Sequence, residues 1–127
     1  MKILIVDDEV GLCFFVKKNL EAAGDFQVAA CSDSMKAVSE ARGFSPDLII
    51  LDVMMPGLSG PELVEKFQED PKLKRIPVIF LTAVATEEET GKNRNLIGGH
   101  YMVAKPVQIE ELLQVITKVM QERSATG

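Results

Sequence analysis

Short apolar runs rich in Ile, Leu and Val alternate along this chain with segments whose apolar residues return at helical spacing. Strands that read as near-continuous apolar runs must be covered on both faces, and strand–helix alternation supplies that cover in a parallel sheet. The runs are Lys2–Val6, Gln27–Cys31, Asp47–Leu51, Pro77–Leu81 and Tyr101–Ala104, which predicts five strands. Between them, Val10, Cys13, Phe14 and Leu20 mark a first helix, Ala37, Val38 and Ala41 a second, and Leu63, Val64 and Phe67 a third. Ile109, Leu112, Leu113, Ile116 and Met120 recur at i, i+3, i+4, i+7 and i+11 and mark the last helix, which is expected to end at a polar tail, Ser124–Gly127. Ser59-Gly60-Pro61-Glu62 and Thr86-Glu87-Glu88-Glu89 have capping-box spacing and set the starts of a third and a fourth helix. The fourth helix has only a short apolar end, at Leu96 and Ile97.

A chain of 127 residues holds one core, so residues 1–123 read as one domain and 124–127 as its tail. No apolar run approaches the ~18 residues of a membrane span, and no signal-peptide cleavage site follows the first strand, so the expectation is a cytoplasmic protein without membrane insertion. A net charge of −5 and a pI near 4.9 argue against direct nucleic-acid binding, which depends on neutralising phosphates. Cys13 and Cys31 sit in apolar contexts without metal or redox spacing and read as buried free thiols. Lys72, Lys74 and Arg75 read as a solvated loop, and His100 as a structural histidine.

Five βα units with right-handed crossovers favour a doubly wound sheet in the order 2-1-3-4-5, with a ligand site beyond the carboxyl ends of the strands where the order reverses. Just past the strands stand Asp7, Asp8 and Glu9, then Asp52, Thr82 and Lys105. Neighbouring strands lie ~4.8 Å apart, and two carboxylates ~4 Å apart repel by about 4 kcal/mol at an effective dielectric near 20. A hard divalent cation, Mg²⁺ or Mn²⁺, suits such oxygen ligands, and the stem of Lys105 is long enough to bring its ammonium close to Asp52. A serine or cysteine nucleophile with a histidine base is absent from this set, so a carboxylate is the candidate nucleophile, attacking phosphorus to form an acyl phosphate.

The stretches Ile3-Leu4-Ile5-Val6-Asp7-Asp8-Glu9, Pro46–Gly57 with Asp52 at its centre, Leu81-Thr82-Ala83 and Lys105-Pro106 together resemble the receiver domain of two-component response regulators, over nearly the whole chain and in order. The resemblance implies a flavodoxin-like fold and a self-phosphorylating module, not an enzyme acting on other substrates. It implies that Asp52 is the phosphoacceptor, served by a phosphohistidine on a sensor histidine kinase or phosphotransfer protein, or by a small acyl phosphate. Asp7 and Asp8 match the acidic pair of the metal site, with Asp8 and Asp52 as ligands and Met54 contributing its backbone carbonyl. Thr82 matches the switch hydroxyl, Ala83 the small residue beside it and Lys105 the phosphate-pairing lysine, and the bond to Pro106 is expected to be cis. Output is expected through the face formed by the fourth helix, fifth strand and last helix, to a separate partner.

The family carries an aromatic residue three positions before the lysine, where this chain has Met102; Tyr101, one position away, faces the other side of a strand. Met102 is therefore expected to take the inward and outward positions of that aromatic. Two other readings compete: a phosphohydrolase turning over on Asp52, which would favour a second carboxylate where Met54 stands, and a scaffold receiver that is never phosphorylated.

Overall fold

The computed structural model describes residues 1–83, 96–97 and 100–126. Five parallel strands form the sheet: β1 (Lys2–Val6), β2 (Gln27–Cys31), β3 (Leu48–Asp52), β4 (Val78–Thr82) and, after a two-residue strand β5 (Leu96–Ile97), β6 (His100–Ala104). Their order, β2-β1-β3-β4-β6, is the one expected, and β5 adds an antiparallel edge paired with Tyr101 and His100. Leu96 and Ile97 were expected to end the fourth helix. They are strand instead, because they sit just before β6 and their backbone groups pair with it. The Thr86–Glu89 capping box lies outside the described residues.

Two strands start one residue later than their apolar runs predict. The Asp47 carboxylate accepts the Lys2 N–H at 2.8 Å, so the side chain takes the place of a ladder partner. Pro77 has no N–H to give and contributes only its carbonyl, to Ile49 at 3.0 Å. Both strands run one residue further instead, which puts Asp52 and Thr82 on their last positions.

Helices α1 (Val10–Ala23) and α4 (Ile109–Thr126) cover one face of the sheet, and α2 (Ala37–Phe44) and α3 (Gly60–Glu69) the other. Alternation along β1 divides the core accordingly: Ile3 and Ile5 pack with α1 and α4, Leu4 and Val6 with α2 and α3. In α1 the buried stripe is Cys13, Val16 and Leu20, whereas Val10 and Phe14 are each 67% exposed, so the apolar set used to place this helix includes two residues that face out. Ser59 and Glu62 close the capping box of α3 as the sequence predicts, with Ser59 Oγ accepting the Glu62 N–H at 3.3 Å and Glu62 Oε1 the Ser59 N–H at 2.9 Å. The backbone of α4 stays helical through Thr126, beyond the expected stop at Ser124, since nothing before Gly127 breaks a helix.

Cys13 and Cys31 are free and buried, and burial with Asp7 nearby pushes the Cys13 thiol up to about 11. Lys72, Lys74 and Arg75 are exposed, around a buried Leu73. His100 is half-buried with its ring edge-on to Phe80, centroids 5.6 Å apart, a packing role as expected. No described helix is long and apolar enough to cross a membrane.

Candidate functional site

The site is made by register. Val6 pairs with Leu51, Asp52 with Leu81, and Thr82 with Ala104, so the residues at and just past these strand ends share one edge. Backbone bonds continue past the ladders and fix it: the Asp7 N–H to the Cys31 carbonyl at 3.1 Å, Val53 N–H to Leu81 at 3.0 Å, and Lys105 N–H to Thr82 at 2.9 Å. Asp8, Glu9, Asp52, Val53, Met54, Thr82, Ala83 and Lys105 line a cavity of about 340 Å³ at this edge.

Asp7, Asp8 and Asp52 each place an oxygen within 4.8 Å of the others'. Asp7 is fully buried and Asp52 is 4% exposed, whereas Asp8 stands at the surface. Burial and the charge of Asp7 hold the Asp52 carboxyl above its ordinary range, against the pull of Lys105 and of a hydrogen bond from the Met54 N–H. Asp7 Oδ1 accepts the Glu9 N–H at 2.9 Å, while Oδ2 faces the Lys105 ammonium at 3.0 Å and has no well-formed hydrogen bond among the described residues. A buried carboxylate oxygen left in that state, beside two further carboxylates, fits a divalent cation, a hard ion that takes oxygen ligands.

Lys105 Nζ lies 2.8 Å from Glu9 Oε1, 3.0 Å from Asp7 Oδ2 and 3.5 Å from Asp52 Oδ1. Burial alone would lower its pKa, but the hydrogen bond to Glu9 and the charges of Asp7 and Asp52 outweigh that and hold it above the usual lysine value. Its bond to Pro106 is cis, as expected. Thr82 is buried at the cavity wall and Ala83 is exposed beside it. Met54 is 72% exposed, so its side chain is turned to solvent at the cavity rim.

Met102 pairs in register with Phe80 and is 4% exposed, on the same sheet face as Thr82, two residues beyond Phe80. Tyr101 lies on the opposite face, its hydroxyl donating to Glu122 Oε2 at 2.8 Å.

Two contributors escaped the sequence reading. Glu9 was read as one of the acids past the first strand but given no part in the site, and it makes the shortest ion pair to Lys105. Ser34, buried in a 3₁₀ turn (Ser34–Lys36), donates to the Pro56 carbonyl at 2.8 Å and accepts the Leu58 N–H at 2.9 Å, fastening the loop that carries Met54. Gly57, the turn residue of Pro56-Gly57, has φ +85, and a Cβ there would lie 2.7 Å from Ser34 Oγ, so the clamp needs glycine as well as serine. An isolated serine between two strands offers no pattern that would have revealed this.

Strand order and the position of the acidic edge make this a flavodoxin-like α/β fold with its site at the switch point. The family model of the response regulator receiver domain matches residues 3–117, and the chain belongs to that family. It is 35% identical over 94% of its length to the phosphate regulon transcriptional regulatory protein PhoB of Rhizobium meliloti, and 30% identical over its full length to the response regulator Rre1 of Synechocystis. These matches cover 52% and 54% of those proteins, so the chain spans about half the length of the curated relatives it matches. Among solved structures, a response regulator from Desulfuromonas acetoxidans aligns with a TM-score of 0.79 at 30% identity, covering 94% of this chain and 96% of that one. A CheY-like receiver domain protein from Methanospirillum hungatei gives a TM-score of 0.81 at 26% identity over 99% and 98%.

Proposed function

We propose that this receiver domain accepts a phosphoryl group on Asp52, in a reaction that depends on a divalent cation, and that the resulting charge change alters partner binding. The observation that carries the reading is the convergence on one cavity of a buried carboxylate nucleophile, two further carboxylates and a lysine ammonium. Asp7, Asp8, Asp52 and the Met54 carbonyl would hold Mg²⁺ or Mn²⁺, which when bound supplies positive charge to the transferring phosphoryl oxygens. Asp52 Oδ attacks phosphorus and the bond to the donor's leaving group breaks, the donor being a phosphohistidine of a sensor histidine kinase or phosphotransfer protein, or a small acyl phosphate. In this reading Lys105 and the Thr82 hydroxyl take phosphoryl oxygens, and Ala83 keeps the cavity wall low. The chain's chemistry in this reading is confined to gaining and losing its own phosphoryl group. With no carboxylate at Met54 to serve a leaving group, turnover of external phosphate esters is disfavoured. The protein is read as cytoplasmic, and its output as passing through a face that includes β6 and α4; the fourth helix expected to share that face lies outside the described residues.

With Mg²⁺ and acetyl phosphate, intact-mass measurement is expected to show one added phosphoryl group on the wild type and none on Asp52→Asn. An unmodified wild type, or an adduct that survives the substitution, sinks the reading. Met102, inward on the Thr82 face, is proposed to do the work of the missing aromatic residue. Met102→Ala is expected to leave the adduct intact while shrinking the NMR shift changes that beryllofluoride induces along β6 and α4. Wild-type shift changes in that variant would remove Met102 from the switch.

A further inference from the structure

Glu9 is the N-cap of α1, where a short acid or hydroxyl side chain normally turns back to accept a helix N–H, yet its side chain makes no capping bond. Its backbone is extended and the carboxylate reaches across to Lys105, 96 residues away in sequence, at 2.8 Å. Of the three carboxylates around that ammonium, Glu9 holds it closest and Asp52 least closely, at 3.5 Å. The three also differ in freedom: the Glu9 side chain is 61% exposed, that of Asp7 is wholly buried and that of Asp52 is 6% exposed. Glu9 does not belong to the acidic trio that could hold a metal, and among the described residues the partner of its carboxylate is Lys105.

Among the described residues the ammonium's well-formed hydrogen bond goes to Glu9, while Asp7 and Asp52 pair with it by charge at 3.0 and 3.5 Å. A phosphoryl group on Asp52 brings new anionic oxygens beside Lys105, and to serve them the ammonium must release an acceptor. The buried Asp7 cannot leave without stranding its charge, whereas the exposed Glu9 carboxylate can turn to water at little cost. We propose that Glu9 is a detachable latch, a positioning residue that holds the Lys105 ammonium at the lip of the cavity until a phosphoryl group on Asp52 draws it inward. The proposal rests on the phosphoacceptor reading of Asp52 and assigns to Glu9 the resting partner of the lysine. It makes phosphorylation a competition between two acceptors for one cation.

Two substitutions in the full chain separate the latch from a general effect of charge. Glu9→Gln keeps the length and an acceptor oxygen but removes the charge; Glu9→Asp keeps the charge but is one methylene too short to reach. The readout is the dissociation constant of beryllofluoride at saturating Mg²⁺, with the Mg²⁺ constant measured alongside so that a change at the metal is subtracted. A latch predicts that both variants bind the mimic about two- to fivefold tighter than wild type, the gain expected on losing an exposed ion pair. Tightening in Glu9→Gln alone would show that the charge merely repels the anion, and unchanged or weaker binding in Glu9→Asp would likewise overturn the latch. No binding to the wild type would overturn the phosphoacceptor reading itself, and the latch with it.

Discussion

Lys105→Met is expected to cost the metal-free protein about 3 kcal/mol of unfolding free energy in a urea titration, because it removes the cation from a buried ion pair and leaves the partner's charge behind. Methionine keeps most of the stem volume, so the loss reports charge and not a cavity. The Lys105 side chain is 13% exposed and that of Asp7 wholly buried, so solvent does little to screen the pair, and Asp7 Oδ2 has no well-formed hydrogen bond among the described residues to fall back on. The sign of the pH dependence follows from the raised lysine pKa: its stabilisation is fully present below the ordinary lysine value and fades only as pH climbs through the higher folded one. The gap between variant and wild type should therefore hold steady across neutral pH. It should narrow in acid, where Asp52, its carboxyl already held above the usual range by burial and by Asp7, takes up a proton and relieves the repulsion. Mg²⁺ at a hundred times its dissociation constant stabilises any folded protein that binds it by about 2.7 kcal/mol, so it should return most of the loss. A loss under about 1 kcal/mol would mean that the lysine does not neutralise the acidic edge.

The topology and the acidic edge were legible for the same reason. A parallel sheet covered on both faces needs strands that are apolar throughout, so the first charged or hydroxyl residue at a strand's carboxyl end stands out, and the doubly wound order then brings those ends together. Asp7, Asp8, Asp52, Thr82 and Lys105 all fall at those ends. Strand edges moved by one residue where a side chain or a missing donor replaced a ladder bond, at Asp47 and Pro77, which apolar runs cannot reveal. Helical period located α1 but not its inner face, since Val10 and Phe14 are as apolar as Val16 and Leu20 and only packing separates them. The contacts of Glu9 and Ser34 were illegible because they join residues distant in sequence through side chains that form no repeating pattern.

Gly60→Ala should be at least as damaging, through backbone and not charge. A Cβ at this position would lie 2.5 Å from the Asp52 carbonyl oxygen and 3.0 Å from both Val53 Cα and Phe80 Cε1. None of these is the loose end of a flexible side chain: two are backbone atoms and the third belongs to a buried ring. Gly60 is also tied in place by its N–H, which donates to the Val53 carbonyl at 2.8 Å. Relief therefore requires α3 to slide off the end of β3, at an overpacking cost of about 3 kcal/mol. That movement drags residues 53–59, including the Met54 N–H that bonds the Asp52 carboxylate, so the proposed nucleophile loses its aim as well. Displacements of this size cost reaction rate steeply, and acyl-phosphate formation with acetyl phosphate is expected to slow about tenfold or more. Gly43→Ala is the control: nothing lies within 4 Å of its added Cβ, and alanine in that helix should be neutral or stabilising by about 0.5–1 kcal/mol. If Gly60→Ala unfolded and reacted like the Gly43 variant, the close approach of α3 to Asp52 would have no part in holding the proposed phosphoacceptor in place.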